Sequence, residues 1–348
     1  MKTLAKIILS FCIFVASTSV CLCQDVKALI DRGIALNDSG KYTEAIDKYK
    51  AALKIAPENL QAQYEMSYTL FSSGRPDEAI PLLEHVAPTN TYAEAYDLLG
   101  SIYDDKKDFE KAIGYYQQGI IAFPDYQRLR FNIGISYLRQ KKYPEAEQAA
   151  IKAIELDPKH ASSQRVYALA MYGQNKGVAA IMGFCSFLIL EPQTQRSAEA
   201  YQYIQKIIQS KVKVDTAKGA NKAMTIYVQD NKGADTDEFT LETFLSMAAA
   251  MPTIDTIKNQ SGVDILNEQL NSIFKIAGEL SSKRKVKDFF WKFYADFFYQ
   301  LSKSDNMPAF VRLVSLTGYR DDNLKWFKDN NDKLTSLSNW VTNTKREF

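Results

Sequence analysis

The chain has 348 residues, 46% hydrophobic and 24% charged, the composition of a folded globular protein with room for two domains. It carries 43 basic and 41 acidic residues, and two of the basic ones, Lys2 and Lys6, fall in a leader-like segment without acids, so the remainder is neutral. A neutral chain lacks the broad positive field that nucleic acids and anionic membranes attract, which excludes nucleic acid as an expected partner.

In the first 24 residues, Lys2 and Lys6 precede an apolar run from Ile7 to Ala16 and the small residues Ser17, Thr18 and Ser19. This order reads as a signal peptide spanning 1–23, too short in its apolar part for a permanent transmembrane helix. Cleavage after Cys23 is the chosen reading, with Ser17 or Ser19 as the alternative. A lipid anchor at Cys21 or Cys23 is the lesser reading, because Val20 and Leu22 stand where lipoprotein signals carry a small residue. Cleavage leaves Cys185 alone, so an exported protein would be held by its apolar core without disulfides.

Self-similarity follows. Small residues recur at Gly33, Ser67, Gly100, Gly134 and Ala168, spaced by 34, 33, 34 and 34. Twelve residues after each stands an alanine: Ala45, Ala79, Ala112, Ala146 and Ala180. Prolines close the units at Pro57, Pro124, Pro158 and Pro192, while the second unit is one residue short and places Pro88 instead. Small side chains at fixed positions permit close crossing of two antiparallel helices, and proline stops the second helix of each pair. The units are set at about 26–59, 60–92, 93–126, 127–160 and 161–194, with residues 195–209 as a capping sixth helix.

These columns resemble the tetratricopeptide repeat family over about residues 26 to 194. The aromatic usual in the first helix is mostly replaced, the column holding Leu29, Gln63, Tyr96, Arg130 and Gln164. The resemblance implies an all-α, right-handed helical solenoid whose first helices line a concave groove. The period then places Ile30, Tyr64, Tyr68, Phe71, Asp97, Ser101, Arg128, Phe131, Asn132, Arg165, Leu169, Tyr203 and Lys206 inward. Tyr64, Tyr68, Phe71, Asp97, Arg128, Phe131, Asn132, Arg165 and Tyr203 are the candidate protein-binding residues, since tyrosine and arginine dominate binding hot spots. The competing reading of such aromatics is packing between units. Arg128, Asn132 and Arg165 resemble part of the clamp with which some family members hold a terminal carboxylate. Lys27, Asp31, Asn37 and Glu65 in the first two units mix in acids that would repel one, so that specificity is not carried over.

The repeat columns end at Gln209. Residues 210–236 read as a junction, with alternation at Val212 and Val214 and one helix near Ala217 to Tyr227. From 237 to 348 the apolar spacing is helical, predicting an α-helical domain of no recognised family, with one helix from near Pro308 ended by Gly318. Within it, Asp288 to Tyr299 is aromatic around most of its circumference, as suits a central helix. Asp288, Lys292 and Asp296 share a stripe on which the lysine can pair with either acid.

Chemistry is scarce. His85 and His160 lie near helix ends in the repeats, Cys185 sits between Phe184 and Phe187, and no phosphate-binding glycine loop occurs. The expectation is an exported protein-interaction scaffold in the periplasm or at a cell surface, possessing no catalytic residue, metal or cofactor, with a protein or peptide partner and a role in envelope assembly. The alternative is an enzyme or glycan-binding protein whose site lies in the C-terminal domain. A deep acid-lined pocket there would favour the alternative, and a closed apolar core the scaffold.

Overall fold

The computed structural model describes residues 25–214, 224–226, 236–253 and 260–348. The expected signal peptide and its cleavage site lie outside these. The described chain is helical apart from one pair of three-residue strands. It divides into two compact units, the first ending at Ser136 and the second running from Tyr137 to Phe348.

The first unit holds α1 (25–38), α2 (Tyr42–Ile55), α3 (Leu60–Ser72), α4 (Pro76–Val86), α5 (Ala93–Asp105) and α6 (Phe109–Ala122), and ends within α7 (Gln127–Arg139). The helices pair as the columns require. A Cβ at Gly33 would lie 2.5 Å from the Tyr49 ring, and one at Gly100 would run into Tyr116. The glycine of these first helices thus makes room for a tyrosine sixteen residues on, a pairing the sequence reading passed over; in the second and fourth repeats Leu83 and Ala150 stand at that spacing instead. In the second repeat Pro88 lies in a 3-10 turn, Ala87–Thr89, which accounts for the missing residue.

The turn inside each pair is a repeated backbone device. The Gly40 N–H bonds the Asn37 carbonyl at 2.9 Å and the Lys41 N–H bonds that of Leu36 at 2.9 Å. This double closure of a helix C-terminus needs a left-handed residue at its centre. Gly40 and Gly74 fill that place at φ 73° and 78°, and Lys107, Lys141 and Asn175 adopt φ 63°, 59° and 61° in the later repeats.

The second unit holds α8 (Tyr143–Leu156), α9 (Ala161–Gly173), α10 (Gly177–Leu190) and α11 (Gln195–Gln209), the last matching the expected capping helix. Strands β1 (Val212–Val214) and β2 (Met224–Ile226) pair antiparallel, with Val212 opposite Ile226. The helix expected over 217–227 is corrected in this part: residues 224–226 form a strand, as the β-branched Thr225 and Ile226 favour. The rest of that prediction lies outside the described residues. Then follow α12 (Thr236–Ala250), α13 (Gly262–Lys283), a π-helical turn Phe290–Ala295 running into α14 (Asp296–Ser302), α15 (Met307–Val314), α16 (Arg320–Asp329) and α17 (Asn331–Asn343).

Why the second unit coheres is written in α10. Its sequence is apolar on every side, and every residue from Gly177 to Leu188 is buried. A helix of that kind must be covered all round. α9 and α11 cover part of it, and α12, α15 and the π-helical turn cover the rest. Phe184, Phe187 and Leu188 alone bury enough apolar surface to contribute about 1.5–3 kcal/mol each. α12 also supplies Glu242, whose Oε1 accepts the Val178 N–H at 3.1 Å at the start of α10 and whose Oε2 meets Lys211 Nζ at 2.6 Å. The aromatic stretch is core: Trp291, Phe293, Tyr294, Phe297 and Phe298 are all buried. The stripe pairing is corrected, because closer partners compete. Lys292 Nζ donates to the Phe348 main-chain oxygen at 2.9 Å, and Asp296 takes Lys287 at 2.7 Å and Ser281 at 2.6 Å.

Candidate functional site

First helices of neighbouring repeats are tied by polar rungs about one repeat apart in sequence. Thr69 Oγ1 donates to Asn37 Oδ1 at 3.0 Å and Ser136 Oγ to Asp104 Oδ1 at 2.5 Å. In the second unit Arg165 Nη2 meets Glu199 Oε2 at 2.8 Å and Arg196 Nη1 donates to Ser162 Oγ at 3.0 Å. The rungs lock register between repeats and consume much of the polarity of that face.

The candidate residues of the first unit gather around one rung. Asp97, 4% exposed, is held by Arg128 Nε at 2.8 Å and by the Asn132 side-chain amide. Burial holds the Asp97 carboxyl above its ordinary value, and the guanidinium and amide pull it only partly back. Beside it the Tyr64 ring stacks on Tyr92, centroids 5.2 Å apart and planes within 10°. Burial raises the Tyr64 phenol, and the carboxylates of Glu94, Glu65 and Asp97 raise it further. Tyr126 is raised by burial and by Asp97 and Glu94, against which the hydrogen bond of Arg128 works. Burial, with Asp38 adding to it, also raises Glu65. Tyr68 is 44% exposed, the Arg128 side chain 63%, and Phe71 and Phe131 are half-buried.

The first-helix face of the first unit is therefore a tyrosine and carboxylate surface with one guanidinium already neutralised. Arg128 and Asn132 spend donors on the chain's own Asp97, so they do not form an open carboxylate clamp, and Lys27 is likewise paired with Asp31 at 2.7 Å. Ile30 is corrected: it is 1% exposed and packs in a core cluster with Val26, Ala45 and Tyr49, because α1 turns that side to α2. Ser101 lies within 3.3 Å of the Tyr116 hydroxyl, and the Asp97 rung is the polar centre.

Arg165 and Tyr203 belong to the second unit. Arg165 is engaged with Glu199, and Tyr203 stacks on Phe184 at 5.1 Å and meets Tyr172 edge-on at 4.9 Å. Lys206 stands over the Tyr172 ring. Sequence reasoning missed Tyr92, Glu94 and Tyr126. Tyr92 and Tyr126 are 34 residues apart, immediately before or near the start of α5 and α7, and the signal was a column lying just outside the helices that were searched.

The replaced aromatic column has its own geometry. Gln63 Nε2 donates to the Pro57 carbonyl at 2.8 Å and Gln164 Nε2 to that of Pro158 at 3.0 Å, each reaching six residues back to the proline before its helix. Their other ends meet His85 Nδ1 at 2.7 Å and the Tyr294 hydroxyl at 2.6 Å. His160 caps α9, its Nδ1 accepting the Ser163 N–H. Cys185 is fully buried, and burial pushes its thiol far up, away from the thiolate a nucleophile requires. Among the described residues no helix is long and apolar enough to cross a membrane.

Paired helices, left-handed turns at one period and rungs between first helices define a tetratricopeptide repeat scaffold. Family models described as "Tetratricopeptide repeat" match residues 36–102 and, in overlapping parts, 98–161 and 131–186. Over these residues the chain carries tetratricopeptide repeats. It is similar to the human Tetratricopeptide repeat protein 6, 25% identical over 135 residues, which are 39% of this chain and 26% of that one. It is also similar to the Protein O-mannosyl-transferase Tmtc3 of Drosophila melanogaster, 34% identical over 107 residues, 31% of this chain and 10% of that one. The chain thus spans about a quarter or less of the length of these relatives. Among solved structures, a MamA protein is 25% identical with a TM-score of 0.44, covering 51% of this chain and 95% of its own.

Proposed function

We propose that the protein is an exported scaffold that binds a peptide or a segment of a partner protein on the first-helix face of its N-terminal unit. The observation that carries this reading is the Tyr64, Tyr92 and Tyr126 cluster around a buried Asp97. Stability alone does not require a carboxylate raised by burial among these tyrosines, Tyr68 on the same helix as Tyr64 is exposed, and tyrosines of this kind form binding hot spots. Recognition proceeds by shape and a few anchors, without a chemical step. The partner segment is neutral or basic where it meets Glu65 and Glu94, since Asp97 already takes the one guanidinium of the cluster.

Export to the periplasm or a cell surface is part of the same proposal, supported by the leader-like residues 1–23 and by a single remaining cysteine. Work in envelope assembly follows as the setting in which such a scaffold would meet its partner. The test is capture from a native envelope fraction by the tagged full chain and by an Arg128→Glu, Tyr68→Ala form of equal helicity. A partner retained by the first and lost by the second supports the proposal. A partner held equally by both contradicts it.

A further inference from the structure

A second feature lies wholly within the second unit and is independent of the first-helix face. A cleft of about 420 Å³ opens among α10, α15, α17 and the residues that follow α17. Its walls are aliphatic, with Leu190, Leu313, Leu334 and Val341 prominent; the charged side chains among its lining residues are Lys159 and Arg346, and Phe348, whose main-chain oxygen accepts from Lys292 Nζ at 2.9 Å, also lines it. No carboxylate side chain lines it.

Arg346 is an unusual resident. Its Nη1 donates to Ser186 Oγ at 2.9 Å, and the guanidinium carbon Cζ lies 3.7 Å from the Phe297 ring centroid and 4.9 Å from that of Phe293. Among the described residues it has no carboxylate partner and no other hydrogen-bond acceptor. Burial lowers its pKa to about 10, the Tyr294 phenol opposing that effect. A guanidinium carries five N–H donors in a planar fork that matches a carboxylate. A half-buried cation without a counter-ion is costly, and a bound anion would remove the cost.

We infer that this cleft binds an aliphatic carboxylate, its head against the Arg346 guanidinium with Lys159 nearby and its tail along Leu190, Leu313, Leu334 and Val341. The aliphatic walls select the tail, the unpaired guanidinium selects the head, and the volume is that of a small-molecule site.

Calorimetric titration of the full chain with hexanoate, octanoate and decanoate tests this, with methyl decanoate and decylamine as controls for the head. The expected result is saturable binding that tightens about fourfold per added methylene. The ester and amine are expected to bind at least tenfold more weakly. Arg346→Gln should weaken decanoate at least tenfold and Arg346→Lys less. Val341→Trp, which fills the cleft and leaves the guanidinium in place, should abolish binding, guarding against a misfolded Arg346 variant. Absence of decanoate binding, equal binding of the ester, or unchanged binding by Val341→Trp would overturn the inference.

Discussion

Asp97 shows at the scale of one residue how a rung and a binding surface conflict. Burial raises its folded-state pKa above the ordinary 3.8, so the native state holds a proton there more tightly than the unfolded chain does. Stability from this group is fully present below the unfolded value and is lost as pH rises through the folded one. Asp97→Asn keeps a side chain that can bond Asn132, and it is expected to raise stability at pH 7 and to flatten the decline above pH 4, read by urea denaturation across that range. A loss of about 3 kcal/mol or more at pH 7 would show instead that the Arg128 pair outweighs the burial of the carboxylate. A second residue-scale prediction concerns the turns. Gly74 sits at φ 78° with open space where a Cβ would stand, so Gly74→Ala costs backbone strain alone, about 1–2 kcal/mol. Thermal unfolding measures it, and no loss would mean that the left-handed turn relaxes.

At the scale of elements, the repeat was legible because its constraints are local and periodic. Gly33 and Gly100 must admit a tyrosine ring, and the turns must close in one way, so the same residue types return at one spacing. The paired glutamines were harder to see. Gln63 and Gln164 occupy a column usually aromatic, and only the coordinates show them reaching back to a proline carbonyl. The cover on α10 was partly legible: its unbroken apolar run says that something must pack on its outer side, but no periodicity says that α12 and α15 do. The cap by Glu242 joins residues 64 apart and has no sequence signature. Glu242→Ala leaves Lys211 buried without its partner and is expected to destabilise the protein by about 3–5 kcal/mol, with Lys211→Met restoring much of the loss in the double variant. Denaturation of the single and double variants decides, and a cost below about 1 kcal/mol would contradict a buried pair.

At the scale of the whole molecule, two divisions of the chain coexist because they record different physics. The repeat ends at Gln209, where the columns end. The compact units divide at Ser136, inside α7, because the last repeats share a core with the helices that follow them. That core binds the second unit together through one apolar helix. Of the candidate site, the inward positions on α3, α5 and α7 were readable from the period. Their partners at the helix entrances, Tyr92 and Tyr126, were not, because attention to helix faces leaves out the residues that precede them.

The central claim is that a partner is held by the first-helix face of the first unit, and the most direct measurement is its affinity for three full-length forms of the protein. The account predicts that Tyr68→Ala weakens a captured partner at least tenfold, equivalent to about 1.4 kcal/mol. Ile121→Ala, which removes an 84% exposed side chain from the second helix α6, should leave the affinity as in the unaltered protein. Equal affinities for all three forms, or a loss confined to Ile121→Ala, would contradict it.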